Sequence, residues 1–319
     1  CDSMRLKEAK NMLLNKDKVI TMMSDEVFKS VLQDRSCEDY LVDIIEGITM
    51  INKDYIKRNL VFKNSELTKE EIEEKGKITD LLIELQGNII NLEMNKYYYD
   101  GLFNKNDRYG TKLKEGMINK KEKFAKEKKV IQINFNNFDM FDERIIIKFK
   151  MMDPERHLIR SDYMKVTDTE IYYINLKRVR QKYYNKEELT KLEKELLIMT
   201  TDNKEELRKI SRGCREMESV AKKISKLSKE EEMQGIYLKE EQEAFIRDQI
   251  RAYAMTDGYN DGMEKGLKEG HKEGKHEGII ESKKEIAINM LNKNMDIKTI
   301  SNVTGLSENE ITNLKQKDK

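Results

Sequence analysis

Lys77-Ile78-Thr79-Asp80-Leu81-Leu82-Ile83-Glu84-Leu85-Gln86-Gly87-Asn88-Ile89-Ile90-Asn91-Leu92-Glu93-Met94-Asn95-Lys96 decides how this chain is read. Apolar and β-branched residues flank Gln86-Gly87-Asn88, a turn signal, so the stretch predicts a β-hairpin. Side chains alternate between the faces of a strand, which puts Glu93 and Asn95 on one side. A two-residue turn at Gln86-Gly87 sets Asp80 directly opposite Glu93. A turn at Gly87-Asn88 sets it opposite Asn95 and one step from Glu93. Both registers gather Asp80, Glu93 and Asn95 on one face; a three-residue loop would break that parity. Opposed Cβ atoms lie about 4.5–5.5 Å apart, close enough for one hard cation to take both carboxylates. Facing like charges destabilise a hairpin. The spacing therefore admits two readings, a solvated polar face or a divalent-metal site.

Working outward, strand and helix signals alternate. Val27, Phe28, Val31 and Leu32, then Tyr40, Leu41, Ile44, Ile45 and Ile48, recur at helical spacing with a break near Ser36. Residues 59–63 read as a short strand. After the hairpin, Tyr97 to Lys129 reads as mostly helical, interrupted around Gly116. Strands are expected at Val130–Phe135, Ile145–Phe149, 158–162 and 170–175. This alternation predicts an α/β class.

Past Lys186 the strand signals stop. Leucines recur at helical spacing among many charges, which sets a boundary near 185. Gly258, Gly262, Gly266, Gly270, Gly274 and Gly278 then repeat every fourth residue. Each glycine costs a helix roughly 0.8–1 kcal/mol relative to Ala, so the segment reads as a flexible spacer or as a helix with a self-contact strip. The tail offers three short helices, with Asp296 and Ser307 as caps, Glu310 closing a capping box and Gly305 as a stop. This helix–turn–helix pattern suits a DNA reader or a packing motif. Its candidate recognition helix, Ser307 to Asn313, carries two acids and no base before Lys315, which is poor for phosphate contact. The expected organisation is a lead-in over 1–20, a domain over 21–184, a charged helical region over 185–256, the glycine segment over 257–284 and the tail over 285–319.

Composition narrows the function classes. The 319 residues hold 38% hydrophobic and 38% charged residues, a balance that suits a compact domain with long solvated helices. Lys and Arg number 61 against 60 Asp and Glu, a net charge of +1. Attraction to a nucleic acid must then come from local patches. Lys120, Lys121 and Lys123 with Lys126, Lys128 and Lys129 form one candidate, and Lys177, Arg178, Arg180 and Lys182 another; each is otherwise a solvated helix face. Cys1, Cys37 and Cys214 form no CxxC pair and no zinc set, which fits a reducing cytoplasm. His157, His271 and His276 stand in no ligand or triad spacing. No apolar run of about 18 residues suggests a membrane span, and no secretory-type leader is evident. The start at Cys1, with Met4 close by, reads as a truncated start or an upstream fragment.

The hairpin from Asp80 to Ile90-Asn91-Leu92-Glu93-Met94-Asn95 resembles that of the PD-(D/E)xK nuclease family transposases, also called recombination-promoting nucleases. Ser24-Asp25-Glu26-Val27-Phe28-Lys29 resembles the family's N-terminal signature, and Val130-Ile131-Gln132-Ile133-Asn134-Phe135 its core strand. Gly258 to Gly278, and Met295-Asp296-Ile297 through Thr304-Gly305-Leu306-Ser307 and Glu310-Ile311, resemble its C-terminal tail. The match keeps its order over most of the chain. It implies a restriction-endonuclease-like mixed sheet flanked by helices, followed by a charged helical extension. It further implies cleavage of DNA phosphodiesters with Mg²⁺ or Mn²⁺ held by Asp80 and Glu93, in recombination or mobile elements. Asn95 stands where the wider superfamily has Lys and much of the family Gln; an amide can orient a water but cannot take its proton. Lys96 is adjacent but turned to the other face. Arg108, with Tyr97, Tyr98 and Tyr99, falls where the family carries Arg and Tyr. Asp25 and Lys29, one helical turn apart, read as an ion pair or as outer contributors to the metal site. The departure at Asn95 keeps a second reading open, a degenerate relative that binds DNA or itself, including a homo-oligomer through the C-terminal helices.

Overall fold

The hairpin forms around a two-residue turn. In the computed structural model, which describes residues 4–63, 80–116, 129–164 and 168–317, β1 (Val61–Lys63) leads to β2 (Leu81–Leu85) and β3 (Asn88–Asn95). Leu85 faces Asn88 and Leu81 faces Leu92. Gly87 takes φ +86° between them, a left-handed conformation open to glycine. The Tyr55 hydroxyl donates to the Gln86 carbonyl at 2.6 Å. This is the first of the two registers, with Asp80 opposite Glu93.

Four more elements complete the sheet and its connections: α5 (Leu102–Gly116), β4 (Lys129–Asn136), β5 (Ile146–Phe149) and β6 (Glu170–Asn175). The strand order is β1-β2-β3-β4-β6-β5. β4 runs parallel to β3 and β6 parallel to β4, while β2 and β3 are antiparallel to each other, β1 to β2 and β5 to β6. Residues 158–162 do not make the expected strand. The chain turns around Asp153, whose carboxylate accepts from the amides of Glu155 and Arg156, and His157 takes φ +56°. Only Ile159 bridges, to Met152, before the short helix Arg160–Met164 begins.

The two faces of the sheet differ in chemistry. One carries Ile83, Ile90, Leu92, Ile133, Phe135 and Ile174, all fully buried in the main core. Helices Met4–Leu14 (α1), Asp25–Leu32 (α2), Glu38–Thr49 (α3) and Lys53–Asn59 (α4) precede the sheet, and Val27, Phe28, Ile44, Ile45 and Ile56 from this set join that core. Numbering Arg160–Met164 as α6, the chain continues through α7 (Leu176–Tyr184), α8 (Lys191–Thr200), α9 (Lys204–Ser211) and α10 (Arg215–Leu227). Leu196, Met199, Leu207, Val220 and Ile224 sit in the same core. The helices after 185 are therefore part of the sheet's own hydrophobic body, although their charge sets them apart in the sequence. The chain divides instead into Cys1–Phe245 and Ile246–Lys319.

The last helices are α11 (Glu231–Asn292), α12 (Ile297–Thr304) and α13 (Glu308–Lys317). The glycine repeat lies within α11, so the helical alternative holds over the flexible one. Among the described residues, nothing beyond the helix's own neighbouring turns comes within 4 Å of where a Cβ would sit on any of its six glycines. In the second unit, Ala287, Ile300, Leu306 and Ile311 form a small core. Asp296 caps α12 by accepting from the Thr299 amide at 3.0 Å, Gly305 ends it at φ +70°, and Ser307 and Glu310 form the capping box of α13. No described helix is long and apolar enough to cross a membrane.

Candidate active site

The polar face of the sheet holds the site. On β3, Asn91, Glu93 and Asn95 alternate with apolar residues of the other face, and in the parallel register they neighbour Gln132, Asn134 and Asn136 of β4. All six are buried. Helix α5 packs over this face, and Leu113 joins Leu82, Ile89 and Val130 in a small apolar cluster beneath it. Asn106 of α5 is fully buried, and among the described residues Asn91 Oδ1 and Gln132 Oε1 have no hydrogen-bonding partner.

Asp80 precedes β2 and is half-buried, while Glu93 is 2% exposed. The Asp80 amide donates to Glu93 Oε1 at 3.2 Å, and the Met94 amide donates to Asp80 Oδ2 at 2.9 Å. Asn91 Nδ2 also donates to Glu93 Oε1, at 3.3 Å. Each acid is thus fixed by the strand that carries the other. Burial pushes both carboxyls above the usual carboxylate range; Asp25 adds to this at Asp80, and Asp80 adds to it at Glu93.

Lys105 of α5 places its ammonium 3.7 Å from Glu93 Oε2 and 4.9 Å from the centre of the Tyr109 ring. Burial alone would lower its pKa, but Glu93, Tyr109, Tyr99 and Asp80 outweigh that and hold it above the ordinary lysine value. Lys105 therefore stays charged at neutral pH. Sequence reading passed over it for Arg108 of the same helix, which is exposed. Its signal was the one-turn spacing of Lys105 and Tyr109 just after the hairpin.

The remaining candidates separate. Asp25 and Lys29 lie within the electrostatic reach of Asp80. Beside them Glu240 of α11 accepts from the Glu26 amide at 3.1 Å, and its carboxyl is pushed up to about 6 by burial and by Asp25. Lys96 is turned to an ion pair with Glu241. Asn95 is 6% exposed, and its Nδ2 donates to Asn136 Oδ1 at 2.9 Å. Lys177 and Arg178 follow β6 at the same end of the sheet as Asn95, paired with Asp139 at 2.6 Å and Glu187 at 4.0 Å. Arg180, also on α7, is half-buried. Lys120, Lys121 and Lys123 lie outside the described residues.

The donor set fits a hard divalent ion. Two facing carboxylates whose ionised forms repel each other are oxygen ligands that a cation would reconcile. Among the described residues no group of three His, Cys, Asp or Glu could close a full cage. Mg²⁺ does not need one, since it commonly binds one or two carboxylates and takes its other oxygens from water and substrate phosphate.

Residues 22–254 match the sequence model of the PD-(D/E)XK nuclease family transposases. Residues 281–316 match the C-terminal helix–turn–helix domain of the Rpn/YhgA-like nuclease family. Neither a curated protein nor a solved structure matches the chain. The mixed sheet, the paired acids on its polar face and a match over most of the length agree: the chain belongs to the PD-(D/E)XK nuclease family transposases.

Proposed function

We propose that this chain is a Mg²⁺- or Mn²⁺-dependent DNA endonuclease acting in recombination or on mobile elements. The observation that carries the reading is the opposition of Asp80 and Glu93 on a polar face, with both carboxyls raised by burial and by neighbouring acids. Asp80 and Glu93 would hold the ion, which when bound would polarise the scissile phosphate and ease deprotonation of a water. The protein's own residues do the rest. Asn91 holds Glu93 through Oε1, so that Oε2 faces Lys105. Lys105, kept charged, opposes the negative charge that grows on the phosphoryl oxygens. It cannot serve as a general base in that state. It supplies from α5 the ammonium that Asn95 cannot supply from β3. Asp25 and Lys29 adjust the charge around Asp80, and Asn95 with Asn136 holds the end of the amide layer. Lys177, Arg178 and Arg180, with Lys120, Lys121 and Lys123, are proposed phosphate contacts. The reading also places the protein in the cytoplasm, with self-association through its C-terminal helices.

Nicking of supercoiled plasmid tests this. Mg²⁺ or Mn²⁺ is expected to support nicking and a chelator to stop it. Lys105→Met should slow it by about 10²-fold, the scale of one lost electrostatic donor. Adding Asn95→Lys in that background should restore most of the loss. A wild-type protein that binds DNA but never nicks it with either metal overturns the enzymatic reading and favours the degenerate one, which the amide at 95 motivates. Full activity of Lys105→Met removes the role given to that lysine.

A further inference from the structure

We propose a second DNA-contact site, away from Asp80 and Glu93, in the groove between α9 and α10. It rests on the DNA reading above only for which polyanion is bound. The groove encloses about 660 Å³ and is lined by Arg208, Arg212, Lys222, Lys226 and Lys229, against one acid, Glu218. Leu207 and Ala221 form its apolar floor, and Ser211 and Ser225 add hydroxyls. All five cationic side chains are exposed.

Several basic side chains of this unit are matched by acids, and those of the groove, among the described residues, are not. Lys18 meets Asp202, Lys57 meets Asp39, Lys182 meets Glu193 and Lys191 meets Asp43. On α10 itself Lys223 is paired with Asp34 at 2.6 Å. Among the described residues, the five cations of the groove have no such ion pair. In a chain whose net charge is only +1, five cations in one concavity against the single acid Glu218 make a positive local field.

The layout selects the ligand. Lys222 and Lys226 stand one turn, about 6 Å, apart on α10, and Lys229 continues the row two residues past the helix end. Arg208 and Arg212 line the other wall. A row suits a chain of phosphates better than one convergent anion. Among the described residues no aromatic side chain lines the groove, so they offer bases no stacking surface. The contact is then with the backbone of duplex DNA and is indifferent to sequence.

The experiment measures binding of a short duplex in chelator, so that cleavage plays no part, over a range of salt. Lys222→Glu with Lys226→Glu should weaken binding at least tenfold at fixed salt. It should also lower the steepness of log K against log [salt] by about 2, near 0.9 per lost phosphate contact. Lys222→Gln with Lys226→Gln should lower the slope without added repulsion. Lys7→Glu on α1 with Lys16→Glu just after it should change neither quantity, and thermal midpoints should stay within a degree or two in every variant. An unchanged slope in the groove variants, or an equal loss in the α1 control, overturns the proposal. So does saturable binding of inorganic phosphate or a nucleoside monophosphate that the groove variant loses while keeping duplex affinity. Plasmid nicking by the wild type is scored separately. Normal nicking with an unaffected slope rejects the groove alone; a groove-dependent slope without any nicking supports the groove and rejects the nuclease reading alone.

Discussion

Asp80→Asn is expected to remove divalent-metal-dependent nicking while making the metal-free protein more stable. The loss should reach roughly 10³-fold, since a metal ligand is worth several kcal/mol in the transition state. The gain follows from the cost of holding Asp80 and Glu93 together. Both carboxyls have folded-state pKa values above their unfolded ones, so the folded protein binds more protons than the unfolded one as pH rises past the ordinary carboxylate range. Stability is then fullest at low pH with respect to this pair and falls as the pair ionises. Asn at 80 leaves Glu93 without its facing charge and keeps an acceptor for the Met94 amide. About 1–2 kcal/mol of stabilisation near pH 8 is expected. A denaturant series at pH 5 and pH 8 checks the sign. Added Mg²⁺ should raise the midpoint of the wild type more at pH 8 than at pH 5 and should do little for the variant. A wild type indifferent to Mg²⁺ at both values would remove Asp80 and Glu93 as ligands.

Phe28→Ala should have the largest effect on the fold. Phe28 is fully buried and meets Phe135 of β4 edge-on, with centroids 5.8 Å apart and planes at 63°. Removing the ring leaves a cavity between α2 and the sheet, a change that costs about 3–5 kcal/mol, with the aromatic contact contributing about 0.5–1.5 kcal/mol of it. The chemical-denaturation midpoint should fall accordingly. Helix α2 also carries Asp25 and Lys29 toward Asp80, so the milder Phe28→Leu, at under about 1.5 kcal/mol, should remain folded and lose nicking out of proportion to its stability. Activity retained in full by Phe28→Leu would show that α2 need not be held this closely.

What was readable in the sequence was local. The turn glycine, the alternation along Asn91, Glu93 and Asn95, and the caps at Asp296 and Ser307 each depend on neighbours within a few residues, and each forms as read. The polar alternation could not reveal its cover. It looks like a solvent-facing edge, yet α5 buries it, because a helix that is charged overall still turns Leu113, Asn106 and Lys105 toward the sheet. Which of its lysines would reach Glu93 depends on how that helix is rotated, a tertiary choice with no short-range mark. The placement of β6 between β4 and β5 is equally non-local. Charge hid the core role of α8 to α10, where Val220, Ile224 and Leu227 form a narrow buried stripe among lysines and glutamates.

The contrast between the two sides of β3 has a consequence for how the chain avoids errors. Sliding this strand by a single position would drive Asn91, Glu93 and Asn95 among Leu92's oily companions and expel Ile90 and Met94 toward amides, a penalty paid at every step. Single-step slips are thereby rejected during folding, and the acids come face to face in the correctly threaded molecule.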